Sequence, residues 1–295
     1  METHMNYWKL STIVLALVVL AGVENALPGR AAPPDAARRS VDIEKLAENV
    51  IPEDGVALPI RWGNLGKRMV EAGVIDTDAF NQLYAGRGGL SAQGSAMLGG
   101  DHGEPVVIGR ENAGELLNLF WALGLGNANP ILADAEEMMN PAYGGAGGFA
   151  ATGGWTLANG DPMNHYNAHA LVSITPEEQS LVERVSENIH RPCCGNSAHF
   201  PDCNHGMAML GLLELLAANG ASEEEMYETA LAANSYWFPD TYLVIGQYLA
   251  EQGTAWEDAD PKEILGVAYS SAEGYQRIMS MVEGPVQNGG GSCGA

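Results

Sequence analysis

The sequence predicts an all-α or mainly α fold, a multi-helix globular domain with long Gly-rich loops and a Cys/His-rich loop between two helices. Three observations lead there. Beyond Val41 the apolar residues recur at three- and four-residue spacing far more often than they alternate. The periodic stretches begin and end on helix start and stop residues. Glycine, 37 of 295 residues, gathers between those stretches instead of inside them.

The first element is an export signal. Lys9 precedes an apolar run over residues 10–23, which is 14 residues long and short of the roughly 20 needed to cross a bilayer. Val19-Leu20-Ala21 resembles a signal-peptidase site, so residues 1–21 are expected to be removed. An uncleaved anchor over residues 10–23 is the alternative, and it would be the only route to a membrane. No cysteine ends the run, so no lipid attachment is expected. Residues 22–40, with Pro28, Pro33 and Pro34, form a Pro/Ala-rich linker. Residues 41–284 then make a single helical domain, and residues 285–295 a flexible Gly-rich tail carrying Cys293.

Within the domain, helices are expected over residues 65–72, 79–84 and 111–123, the last with a broad apolar face. The clearest start is Thr175: Pro176 occupies the first helical position and Glu178 closes a capping box, while Pro192 stops the run. A second helix begins near Asp202 or Asn204 and runs to Asn219, with Gly220 as its cap. Ser222 and the carboxylates Glu223, Glu224 and Glu225 open a third, which Phe238-Pro239 ends. Further helices are expected over residues 242–251 and 272–282. Only residues 106–108 suggest a strand. Residues 141–160 hold seven glycines around Phe149 and Trp155, too long for a turn and too aromatic for a flexible linker; this loop is expected to cover a site.

Charge narrows the function. With 37 acidic and 14 basic residues the net charge is -23, which excludes a nucleic-acid or anionic-membrane partner held by a basic patch. Gly145 to Ala150 fits G-x-G-x-x-A without a preceding strand, and Gly290 to Gly294 fits G-x-S-x-G at the chain end, where no nucleophile elbow can form. A cofactor-dependent or hydrolase fold is therefore not expected, and a metal-binding protein is expected over an enzyme.

The chemistry lies in residues 190–207, where three of the four cysteines and three of the seven histidines fall within 18 residues. Thiolates and imidazoles bind zinc and copper, so Cys193, Cys194, Cys203 and His205 are the primary candidate ligands. If residues 203–206 were all helical, Cys203 and His205 would point about 200° apart, so both can face one ion only from an irregular first turn. His165 and His169, at i and i+4 on a helical stretch from Met163, are possible additional ligands, as are His190, His199 and Cys293. Met207 and Met209 could add thioether donors suited to Cu(I), but their place in an apolar helix reads as core packing.

The sequence therefore points to an exported, periplasmic or extracellular protein that holds a transition metal ion, zinc or copper, for handling, storage or sensing. Its partner would be a metal- or thiol-exchange protein. The alternatives are a thiol-disulfide redox protein, in which the same cysteines cycle between pairings, and a domain stapled by disulfides between them.

Overall fold

The computed structural model describes residues 41–282. The signal or anchor over residues 1–21, the linker and the tail with Cys293 lie outside the described residues. Those described are mainly helical.

The order of elements is α1 (Ile43–Val50), β1 (Val56–Leu58), α2 (Leu65–Glu71), α3 (Thr77–Ala85), α4 (Ala92–Gly99), β2 (Val106–Ile108), α5 (Ala113–Gly126) and α6 (Ala150–Gly153). There follow α7 (Pro176–Asn188), α8 (Asn204–Ala218), α9 (Glu223–Trp237), α10 (Pro239–Glu251), α11 (Pro261–Leu265), α12 (Val267–Ser270) and α13 (Ala272–Met279). The strands pair antiparallel, Val56 opposite Ile108 and Leu58 opposite Val106. Among the described residues no helix is long and apolar enough to cross a membrane.

Most helices start where a short polar side chain can satisfy orphan N–H groups. Asp42, Asp76, Ser91, Thr175, Ser222 and Ser271 each accept a bond from the backbone N–H three residues on. Thr175 with Glu178 and Ser222 with Glu225 complete reciprocal capping boxes. Gly220 takes the left-handed conformation, φ 78°, just past the end of α8.

At the centre α5 packs on α8. Both are buried almost all round, which requires sequences apolar on every face. They approach backbone to backbone, because a Cβ on Gly124 would lie 2.1 Å from the Met207 carbonyl oxygen and one on Gly211 would lie 2.3 Å from that of Phe120. Met207 and Met209 face this core, fully buried. Around the pair, α7 and α9 flank α8, while α2 and α4 lie against α5.

Several boundaries differ from the sequence expectation. The helix expected over 242–251 begins at Pro239, since a proline's fixed φ suits the first helical position and Phe238 alone separates α9 from α10. Helices α1, α4, α11 and α12 were not anticipated; α11 and α12 have too few turns to show a period. Residues 141–160 are not one open loop but contain 3-10 turns at Pro141–Tyr143 and Ala146–Gly148 and the one-turn helix α6.

Candidate metal centre

The segment joining α7 to α8 is held by its own backbone. Ile189 leaves α7 extended, His190 and Ser197 form an antiparallel bridge, and Ala198 N–H donates to the Ile189 carbonyl at 2.7 Å. Cys194 N–H closes a turn onto the Arg191 carbonyl, 3.2 Å, and the Cys194 carbonyl accepts from Ala272 at the start of α13, 2.9 Å. The glycine-rich stretch packs on the other side: Ala151 N–H donates to the Asp202 carbonyl, 3.0 Å, and the Phe149 ring meets Phe200 edge to face.

Cys203 is the residue before α8, extended at φ -123°, ψ 167°, not part of it. That conformation removes the geometric objection to pairing it with His205, one residue inside the helix. Ligand atoms of Cys193, Cys203 and His205 lie within 4.8 Å of one another, and those of Cys194, Asp202 and Cys203 do likewise. The four expected ligands are thus divided over two overlapping groups with Cys203 common to both. This Cys/His cluster could hold a metal ion.

The spacing carries information. Cys193 Sγ and Cys203 Sγ are 3.7 Å apart, and all three described cysteines are unbridged. Two metal–sulfur bonds of about 2.3 Å meeting at the tetrahedral angle span roughly 3.8 Å, whereas a disulfide requires about 2.05 Å.

His205 is 6% exposed, lies against the Phe238 ring at 4.3 Å between centroids, and its Nδ1 is buried with no hydrogen-bond partner among the described residues. Burial first, and the Arg191 charge second, lower its pKa to about 4. The imidazole is therefore neutral at pH 7, the form that binds metal.

Arg191, which the sequence reading passed over, is fully buried among the sulfurs. It donates to Asp202 Oδ1 at 2.6 Å, to Cys194 Sγ at 3.3 Å, to the Phe200 carbonyl at 3.2 Å and to the Ser197 carbonyl. Burial opposes its charge, but Cys203, Cys194 and Asp202 outweigh that and hold it protonated. Room for the guanidinium comes from Gly206: a Cβ there would lie 2.7 Å from Arg191 Cζ. The cysteines titrate as a group. Thiol donation from Cys193 and Cys203, helped by Arg191, pulls Cys194 below its ordinary range, while Cys193 is pushed up by Cys194, Cys203 and burial. Cys203 ends above its ordinary value: donation from Cys193 lowers it, and its own contact with Cys194 together with burial outweighs that.

The remaining candidates are elsewhere. His199 Nδ1 lies 2.9 Å from Glu137 Oε2, and His190 Nδ1 lies 3.3 Å from the Asn188 carbonyl. His165 and His169 meet each other, Nδ1 to Nε2 at 3.2 Å, and belong to neither sulfur group. They do so without the expected helix. A 3-10 turn at Pro162–Asn164 ends at His165, and Asn167 then turns left-handed at φ 55°, reversing the chain. Cys293 lies outside the described residues. Besides Arg191, Asp202 was missed, because a lone carboxylate beside a proline carries no ligand signature; its only sequence cue was its place next to Cys203.

Comparison of the chain with protein-family models, with curated proteins and with solved structures finds no match to any of them.

Proposed function

We propose that this protein is an exported metal-handling protein that holds one transition metal ion through Cys193, Cys203 and His205, with Cys194 or Asp202 able to complete the coordination. The observation that carries the reading is the meeting of two thiols and a buried, neutral, unpartnered imidazole at metal-ligand spacing. A buried polar atom without a partner is costly, and a bound ion supplies the partner. Between the two candidate ions, the 3.7 Å sulfur separation fits tetrahedral zinc. Copper remains the alternative, since Cys and His also suit Cu(I). The role is storage, transfer or sensing, and the acidic surface is consistent with cation traffic.

Plasma mass spectrometry on anaerobically purified protein, with thiols counted on the same sample, tests this. One ion per chain is expected, lost in Cys203→Ser because that residue serves both donor groups. Metal-free wild-type protein, or a variant that keeps its ion, would overturn the assignment.

A second reading rests on the same sulfur contact. Cys193 and Cys203 need only close the remaining gap to form a disulfide, with Cys194 beside Arg191 as the exchanging thiolate. It predicts a metal-free protein whose thiol count falls by two on mild oxidation and recovers on reduction. A disulfide that resists reduction would instead mark a structural staple.

A further inference from the structure

His165 and His169 stand apart from the sulfur centre, and their arrangement is more specific than two polar side chains on a loop require. His165 is 8% exposed and its ring rests against Gly73, whose φ of 82° and missing Cβ leave the space: a Cβ there would come to 3.0 Å from His165 Cε1. At the neighbouring ring atom, Nε2 lies 3.0 Å from the Asn159 carbonyl oxygen. A carbonyl only accepts, so Nε2 carries the proton and Nδ1 presents its lone pair to His169. Metal-binding histidines are oriented in this way, with the distal N–H donated to a carbonyl or carboxylate so that the other nitrogen is free to bind.

The partner ring is fixed by the backbone. Asn167 N–H donates to the Leu125 carbonyl at 2.8 Å, His169 N–H to that of Gly126 at 2.9 Å, and the His169 carbonyl accepts from Ala128 at 2.8 Å. The 165–169 loop is thereby stitched to the end of the buried helix α5. His169 is half-buried, which leaves one side of the pair open to solvent.

The facing nitrogens are 3.2 Å apart. Two metal–nitrogen bonds of about 2.05 Å at the tetrahedral angle span roughly 3.3 Å. We infer that His165 and His169 form a second metal site, independent of the cysteines, that takes a first-row divalent cation such as Cu(II) or Zn(II) through Nδ1 of His165 and Nε2 of His169. Without an ion, the His169 Nε2–H donates to His165 Nδ1. Binding moves the His169 proton to Nδ1 of the same ring, and a small tilt of that half-exposed ring aims both lone pairs at the ion. No third His, Cys, Asp or Glu among the described residues joins the pair. Water or an exogenous ligand therefore fills the other positions, which makes this an open site.

The test is Cu(II) titration of the full chain carrying Cys193→Ser, Cys194→Ser and Cys203→Ser, read by electron paramagnetic resonance. Removing the sulfurs keeps the outcome separate from that of the first site. The expected result is a bound Cu(II) whose spectrum shows two coupled imidazole nitrogens, with His169→Ala losing one of them and weakening binding at least tenfold. A spectrum and affinity unchanged by His169→Ala would overturn the site, as would no binding above buffer. Should the triple variant fail to fold by circular dichroism, Ni(II), which leaves thiols reduced, is added to the wild-type chain. Broadening of the His165 and His169 imidazole resonances together supports the site, and its absence from either overturns it.

Discussion

Glu214 is the one carboxylate that interrupts the apolar run of α8, and it is fully buried. Asn129 Nδ2 donates to its Oε1 at 2.6 Å, while Oε2 has no hydrogen-bond partner among the described residues. Burial raises its pKa to about 8, against partial relief from Asn129 and Asn127. The folded state therefore binds more protons than the unfolded state between about pH 4.5 and 8, and stability from this group is lost as pH rises through that window. At pH 7 the loss is about 3 kcal/mol, taking 1.36 kcal/mol per unit. His205, whose pKa is lowered, acts in the opposite direction below about pH 6.5, so the wild type alone would mix the two. Glu214→Gln keeps the acceptor for Asn129 and removes the titration. Urea unfolding at pH 6.5 and 8 should show the wild type losing stability relative to the variant as pH rises; parallel curves would refute the buried charge. At the same scale, Gly206 leaves the space that the buried Arg191 guanidinium fills. Gly206→Ala is expected to displace Arg191 and destabilise by roughly 1–3 kcal/mol, with weaker metal retention read by elemental analysis.

The α5–α8 pair is held by close backbone approach, and this is an element-scale property. Met207 O and Phe120 O occupy the positions where side chains on Gly124 and Gly211 would begin. Alanine at either should force the helices apart and lower stability by about 3 kcal/mol or more, measured as a fall in the denaturant midpoint. Because α8 begins at the sulfur centre, Gly211→Ala should also weaken metal retention, though Gly211 lies six residues along α8 from His205. Much at this scale was legible. The capping box at Thr175, the helix start at Ser222, the end of α8 before Gly220 and the strand at residues 106–108 follow from local stereochemistry. The pairing of that strand with Val56–Leu58 was not, since three residues show no period and their partner lies about fifty positions away.

For the molecule as a whole, an ion held as proposed would link metal binding to folding. Two ligands leave the segment between α7 and α8, a third lies in the first turn of α8, and Cys194 is tied to α13, so an ion at the centre joins three helices. An ion at a thousandfold excess over its Kd should add about 4 kcal/mol of stability. A strong chelator should therefore lower the midpoint of thermal unfolding, and re-added zinc should restore it; a midpoint indifferent to both would show that the ion does not bind the native fold preferentially.

Residue types and short-range spacing were enough to establish a mainly helical protein, most of its helix starts and the stretch that carries its sulfur chemistry, because caps and periodicity are local and act within a few residues. They could not establish which donor atoms lie close enough together to hold an ion. That was decided by Cys203 lying outside the helix it precedes, by Arg191 turning inward over Gly206, and by Asn167 bringing two histidines together without a helix. Each depends on where other segments lie, since a buried charge or an unpartnered imidazole takes its properties from neighbours distant in the chain.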